Sequence, residues 1–180
     1  MRATYDTNSS RAVCVYSDDN QSDDGYAVVV SVSGTTPTFG SAVEFSTVNC
    51  LTLDCCFDSN SNKVVVAYKA SDQGRSKVGT VSGTSISFGS EVIFENANME
   101  FVSGAFDSSN NKVVFAYQDE GNSSRGTAVV GTVSGTSISF GTAVVFDSVS
   151  TIVFDIEYDS NAQKLAIIHR RSDNQGRAIV

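Results

Sequence analysis

The chain has 180 residues, with 12 Lys and Arg against 20 Asp and Glu, one His, four Cys, one Pro and no Trp. A net charge of −8 excludes the clustered basic surface that nucleic acid or an anionic membrane calls for. No apolar run approaches the roughly 18–20 residues of a membrane helix, and the mixture of Gly, Ser, Thr, Asn, Asp and Val predicts many short strands separated by tight turns.

The N-terminal stretch MRATYDTNSS lacks the apolar segment of a signal peptide. Either the protein is not secreted by that route or Met1 is not the natural start, and the phase of the repeats described below favours the second. A first strand (strand a) ends at Tyr5–Asp6. The polar loop after it leads into strand b, RAVCVY (Arg11–Tyr16). The Asp is placed to cap its own turn, and Asn in such loops tolerates left-handed backbone. The segment SDDNQSDDG (Ser17–Gly25) carries four aspartates, enough oxygen for a hard cation, but its spacing is not that of an EF-hand. The corresponding loops later in the chain keep only one or two acids, so no metal and no cofactor are expected. Strand c follows, and SVSGTTPTFG (Ser31–Gly40) reads as a tight Gly-Thr hairpin into strand d.

The same order then recurs. The turn-and-strand phrase appears as YDTNSSRAVCVY (Tyr5–Tyr16), FDSNSNKVVVAY (Phe57–Tyr68), FDSSNNKVVFAY (Phe106–Tyr117) and YDSNAQKLAIIH (Tyr158–His169), at spacings of 52, 49 and 52 residues. The hairpin phrase GTVSGTSISFG is written identically at Gly79–Gly89 and Gly131–Gly141. A period near 50 residues marks a repeat architecture. The repeat predicts one domain of four units, residues 1–48, 49–97, 98–149 and 150–180, the last lacking strand d. Glycines within strand d (Gly40, Gly89, Gly141) predict a bulge or a close backbone approach. No segment has a helical apolar period, so almost no helix is expected. Four antiparallel strands per unit and small residues on strand a (Ala3, Cys56, Gly104, Ala105) predict a β-propeller-like array of four-stranded blades. A sandwich or a solenoid is the alternative.

The phrases VGTVSGTSISFG and YDSSNNKVV resemble those of tandem-repeat, propeller-like proteins predicted in marine microbes and their viruses. The resemblance covers essentially the whole chain. It implies a surface, appendage or virion-associated repeat protein and transfers no catalytic residue. The Asp-box phrase of sialidase-type propellers and the Trp-Asp pair of another large propeller family are absent from the sequence.

The b–c loops are the variable places. They read SDDGYAV, SDQGRSK, SSRGTAV and SDNQGRAI around Gly25, Gly74, Gly126 and Gly176. Asp24, Tyr26, Asp72, Arg75, Asp119, Arg125, Asp173 and Arg177 are the candidate ligand-binding residues, because loops on a rigid scaffold often bind and guanidinium forks suit carboxylates or sulfates. Glycans or proteins are the expected ligands. The competing reading is a set of hydrophilic turns repeated with the unit. His169 fills the slot of Tyr16, Tyr68 and Tyr117 and reads as structural. Asp155 and Glu157 lie two apart on one strand face, the only hint of the carboxylate pair that a glycan-cleaving enzyme needs. Cys14, Cys50, Cys55 and Cys56 have no zinc spacing and read as small reduced thiols, with a Cys14–Cys55 or Cys14–Cys56 bridge as the alternative. The unpaired edge of strand c in unit four, ending GRAIV, carries no Pro and no charge after Arg177. It predicts self-association or ring closure. The expected protein is therefore a non-catalytic extracellular, virion or cell-surface module. The alternative is a propeller-type glycan hydrolase or a fragment of one.

Overall fold

The computed structural model describes the backbone of residues 1–180 and every side chain except that of Phe154. Unit one comprises β1 (Arg2–Asp6), β2 (Arg11–Asp18), β3 (Asp24–Ser33), β4 (Thr36–Phe39) and β5 (Val43–Ser46). Unit two comprises β6 (Leu53–Asp58), β7 (Lys63–Ala70), β8 (Gln73–Ser82), β9 (Ser85–Phe88) and β10 (Val92–Glu95). Unit three holds β11 (Met99–Asp107), β12 (Lys112–Asp119), β13 (Arg125–Ser134), β14 (Ser137–Phe140) and the start of β15 (Val144–Asp159). The rest of β15 opens unit four, which continues with β16 (Lys164–Arg171) and β17 (Gly176–Ile179). All pairings are antiparallel. The helical content is two three-residue 3-10 turns, Asp19–Gln21 and Glu120–Asn122.

The turns are made by the residues that recur from unit to unit. Asp6, Asp58, Asp107 and Asp159 each accept the backbone N–H groups two and three residues on, at 2.8–3.1 Å. Each turn then passes through one left-handed residue, Ser10, Asn62, Asn111 or Gln163, so Asn serves at only two of the four. In the hairpins between the third and fourth strands, Gly34, Gly83 and Gly135 adopt φ of 61–62°, a conformation that costs glycine nothing.

Strand d differs from the expected single strand. It is two short strands, both paired to strand c, with the break at Gly40, Gly89 and Gly141. At each break the glycine N–H donates to a strand-c carbonyl, that of Val29, Val78 or Val130. The reason for glycine is the neighbouring unit. A Cβ on Gly40 would lie 1.8 Å from the carbonyl oxygen of Thr84, and one on Gly89 1.9 Å from that of Thr136. The hairpin tip of each unit is thus pressed on the broken strand of the unit before it. The second difference is at the boundary of units three and four. β15 runs through residues 149 and 150 without interruption and joins both units into one seven-stranded sheet.

The core lies between units. Side chains alternate across a strand, so each sheet has two faces, and units two and three bury both. On β7, Val64, Val66 and Tyr68 join Val13, Val15, Ala27, Val29 and Phe45 of unit one. Val65 and Ala67 of the same strand join Val113, Phe115 and Tyr117 of unit three. Val114 and Ala116 meet Val153, Ile156 and Ile167 of unit four. These are the same positions used three times.

Candidate functional site

The eight loop candidates lie one set per unit, and most are engaged locally. Arg75 donates to Glu91 at 2.7 Å and to Gln73 at 2.9 Å. Arg125 donates to Asn122 and Arg177 to Gln175. Asp173 accepts the Gln175 N–H. Asp72, exposed and left-handed, sits 3.5 Å from the Lys69 ammonium. Tyr26 stacks on Tyr16 with ring centroids 5.9 Å apart, beside half-buried Asp24. Asp119 is buried. Among the described residues no hydrogen bond or ion pair joins a candidate of one unit to a candidate of another. Register also sets them at different heights. Tyr26, Arg75 and Arg177 pair across from Tyr16, Tyr68 and His169, whereas Arg125 pairs with Asp119, two positions nearer the loop. In SDDNQSDDG, Asp18 caps Asn20 and Asp23 accepts from Asn49. Among the described residues no group of three His, Cys, Asp or Glu is placed to hold a metal ion.

The glycines of these loops have a packing role. A Cβ on Gly25, Gly74 or Gly126 would fall 2.5–2.6 Å from the ring of Phe45, Phe94 or Phe146. Each Phe in turn packs on the aromatic slot of the next unit: Phe45 on Tyr68, Phe94 on Tyr117, Phe146 on His169, with centroids 5.1–5.5 Å apart. The residue after the Phe decides how that slot is satisfied. Behind Phe94, Glu95 accepts the Tyr117 hydroxyl at 3.0 Å. Behind Phe146, Asp147 takes His169 Nε2 at 2.9 Å and Arg171 Nε at 2.6 Å. Behind Phe45 stands Ser46, and Tyr68 donates instead to Glu91. Burial opposes ionisation of Asp147, but the Arg171 and His169 hydrogen bonds outweigh it and hold its carboxyl below the usual range. Asp119 has the reverse balance: burial and then the Glu95 charge raise its pKa, and its Oδ1 has no side-chain or backbone hydrogen-bond partner. His169 is thus buried against Asp147 as a structural group.

The four cysteines are unpaired, with Cys50, Cys55 and Cys56 buried and Cys14 half-buried. Burial pushes the Cys50 thiol up to about 11 and raises Cys55 and Cys56 further, which disfavours the reactive thiolate.

A cavity lies elsewhere, about 500 Å³ in volume and lined by the first strands of all four units. The strands that line it carry a column that sequence reading missed. Arg2, Asp54, Ser103 and Asp155 hold one position per unit, four residues before each turn aspartate. Arg2 Nε is 3.7 Å from Asp54 Oδ1. Asp54 Oδ2 accepts the Ser103 hydroxyl and the Gly104 N–H, both at 2.9 Å. Ser103 also lies 3.2 Å from Asp155 Oδ1. Burial raises the Asp54 pKa, against the pull of those donors. Asp155, Glu157, Tyr5 and Tyr158 line the same cavity. The signal was the constant offset from the turn aspartate; three residue types at the four positions hid it. Among the described residues no helix is long and apolar enough to cross a membrane. Neither a protein-family model nor a curated protein matches this sequence.

Proposed function

We propose that the chain is a non-catalytic repeat module whose four units radiate, propeller-like, from the cavity lined by their first strands. Its work is to assemble and to present the b–c loops to glycans or proteins at a virion, appendage or cell surface. The observation that carries this reading is the column Arg2, Asp54, Ser103 and Asp155, one residue per unit, on the first strands that line a single cavity. Small first strands meeting at one axis are what a radial array requires. The acids and guanidinia that sequence marks out are engaged in turns and unit boundaries, as expected of a scaffold. The test is a glycan array probed with the whole protein, followed by Arg75→Ala and Arg177→Ala. Binding lost in these variants supports presentation by the loops; binding that survives both contradicts it.

One observation favours a second reading. Asp54, Asp155 and Glu157 share the cavity, and two carboxylates across a cleft are the equipment of glycoside hydrolysis. Against it, Asp54 is already committed to three donors from Cys55, Ser103 and Gly104. Release of nitrophenol from nitrophenyl glycosides, abolished by Glu157→Gln, would favour the hydrolase.

A further inference from the structure

We infer that the cleft between units one and two binds an acidic sugar, a hexuronate, whose carboxylate is taken by the Lys77 ammonium and the Arg75 guanidinium. This names a ligand class for the glycan half of the proposed function and rests on that reading.

The cleft has a volume of about 350 Å³. Glu44, Phe45 and Ser46 line it from β5 of unit one, Arg75 and Lys77 from β8 of unit two, and Glu91 from the break between β9 and β10. Arg75 and Lys77 pair across from Tyr68 and Val66, which pack against unit one, so both cations face this boundary.

The repeat sets the cleft apart. Lys77 holds the place of Val28 and Val129 in units one and three. The fold is satisfied there by an apolar side chain and does not itself call for an ammonium. At the other two boundaries the residue after the strand-d Phe is an acid, Glu95 or Asp147, which accepts from the facing unit. Here it is Ser46, whose hydroxyl donates to the Val48 carbonyl. This boundary therefore has cations and no carboxylate at that place.

The polar groups of the cleft have capacity left over. The one partner of Lys77 Nζ among the described residues is the Phe45 carbonyl, at 2.6 Å, which leaves the rest of its donors open. Arg75 gives its terminal nitrogens to Glu91 and Gln73, but its Nε is buried without a partner, a costly arrangement unless something accepts from it. Glu91 is already engaged by Arg75 and Tyr68. Glu44, exposed at the rim, is an acceptor. Open cationic donors beside one carboxylate suit a ligand that has both an acid group and hydroxyls. A bare carboxylate would leave Glu44 unused, and a neutral sugar would leave the cations unmatched.

NMR titration of the amide-labelled whole protein with sodium glucuronate tests this, with glucose and sodium acetate as comparison ligands. We expect saturable shifts at Ser46 and Lys77 with a Kd on the order of 1 mM, and binding of glucose and acetate at least about tenfold weaker. Lys77→Val installs the residue that units one and three carry, so the fold should persist while glucuronate binding weakens at least about tenfold. Arg177→Ala, outside the cleft, should leave that binding unchanged. No saturable shift with glucuronate, equal affinity for acetate, or undiminished binding in Lys77→Val each overturns the inference. Glycan-array signals lost in Arg177→Ala but unchanged in Lys77→Val would sink the cleft and leave loop presentation standing. Glucuronate binding that depends on Lys77, beside an array silent for every glycan, would support the cleft and remove presentation.

Discussion

At the scale of single residues, the position after the strand-d phenylalanine sets the character of each boundary. Ser46, Glu95 and Asp147 face a Tyr, a Tyr and a His, with Ala70, Asp119 and Arg171 two residues further along the second strand. The boundary of units two and three brings two acids together, Glu95 and Asp119. Because the folded-state pKa of Asp119 is raised, its favourable contribution is present below the ordinary carboxylate range and is lost as pH rises through the raised value. Asp119→Asn is therefore expected to stabilise the protein by about 1 kcal/mol at neutral pH and to flatten the stability profile in that window. Urea midpoints across pH check this; a variant less stable than the parent at pH 7 contradicts it. Asp147 has the opposite sign. Its lowered pKa gives stability that is present above the ordinary carboxylate pKa and lost as pH falls through the depressed value. Asp147→Asn leaves Arg171 without its carboxylate and should cost about 2–3 kcal/mol at neutral pH. That difference from the parent should shrink in acid.

At the scale of elements, the broken fourth strand is where the repeat shows its purpose. Gly40 and Gly89 are pinned beneath the hairpin tip of the next unit, while a Cβ on Gly141 would meet only the Val130 carbonyl oxygen, at 3.8 Å. The described residues contain no fourth hairpin to press on it. The strand-c valines agree: Val29 and Val78 are fully buried, and Val130 is 45% exposed. Gly89→Ala should therefore destabilise by about 2 kcal/mol or more through overpacking against backbone. Gly141→Ala should be near neutral, within about 0.5 kcal/mol. Thermal unfolding of the two variants side by side decides the matter, and equal shifts would refute the seating of hairpin on strand. The elements themselves were legible in the sequence, because turn chemistry at Asp6, Asp58, Asp107 and Asp159 and the hairpin glycines are local properties. The glycines of strand d predicted a bulge or a close approach, and the approach is made at Gly40 and Gly89 but not at Gly141. What sits on Gly40 and Gly89 was not legible, because Thr84 and Thr136 belong to the next unit; the split itself occurs at Gly141 as well, where nothing presses. The continuity of β15 across units three and four was hidden for the same reason: in VVFDSVSTIVFDIEYD nothing local distinguishes a link from a strand. The column of Arg2, Asp54, Ser103 and Asp155 was missed because similarity of residue type was sought where only position was shared.

At the scale of the whole molecule, the protein is a one-dimensional stack. Units two and three bury both faces on their neighbours through the same positions, so stability should grow with the number of boundaries. The composition suits this arrangement: no Trp and one Pro in 180 residues, with Val and aromatic residues packing between sheets and acids set in turns. The loops that sequence marked as a binding surface are carried at one end of each unit, apart from one another in hydrogen bonding. A stack of this kind has interchangeable unit boundaries. Duplicating Glu95–Phe146 in tandem tests that property most directly, because the inserted unit meets its neighbour through Val114 and Ala116 on one side and Val113, Phe115 and Tyr117 on the other, with Glu95 again behind a Phe and no second acid brought to the column. The measurement is urea unfolding of the lengthened chain followed by circular dichroism. The expected result is a single cooperative transition with a higher midpoint and a larger slope, the slope rising with the added buried surface. An unchanged midpoint with a separate early transition, the inserted unit melting on its own, would contradict it.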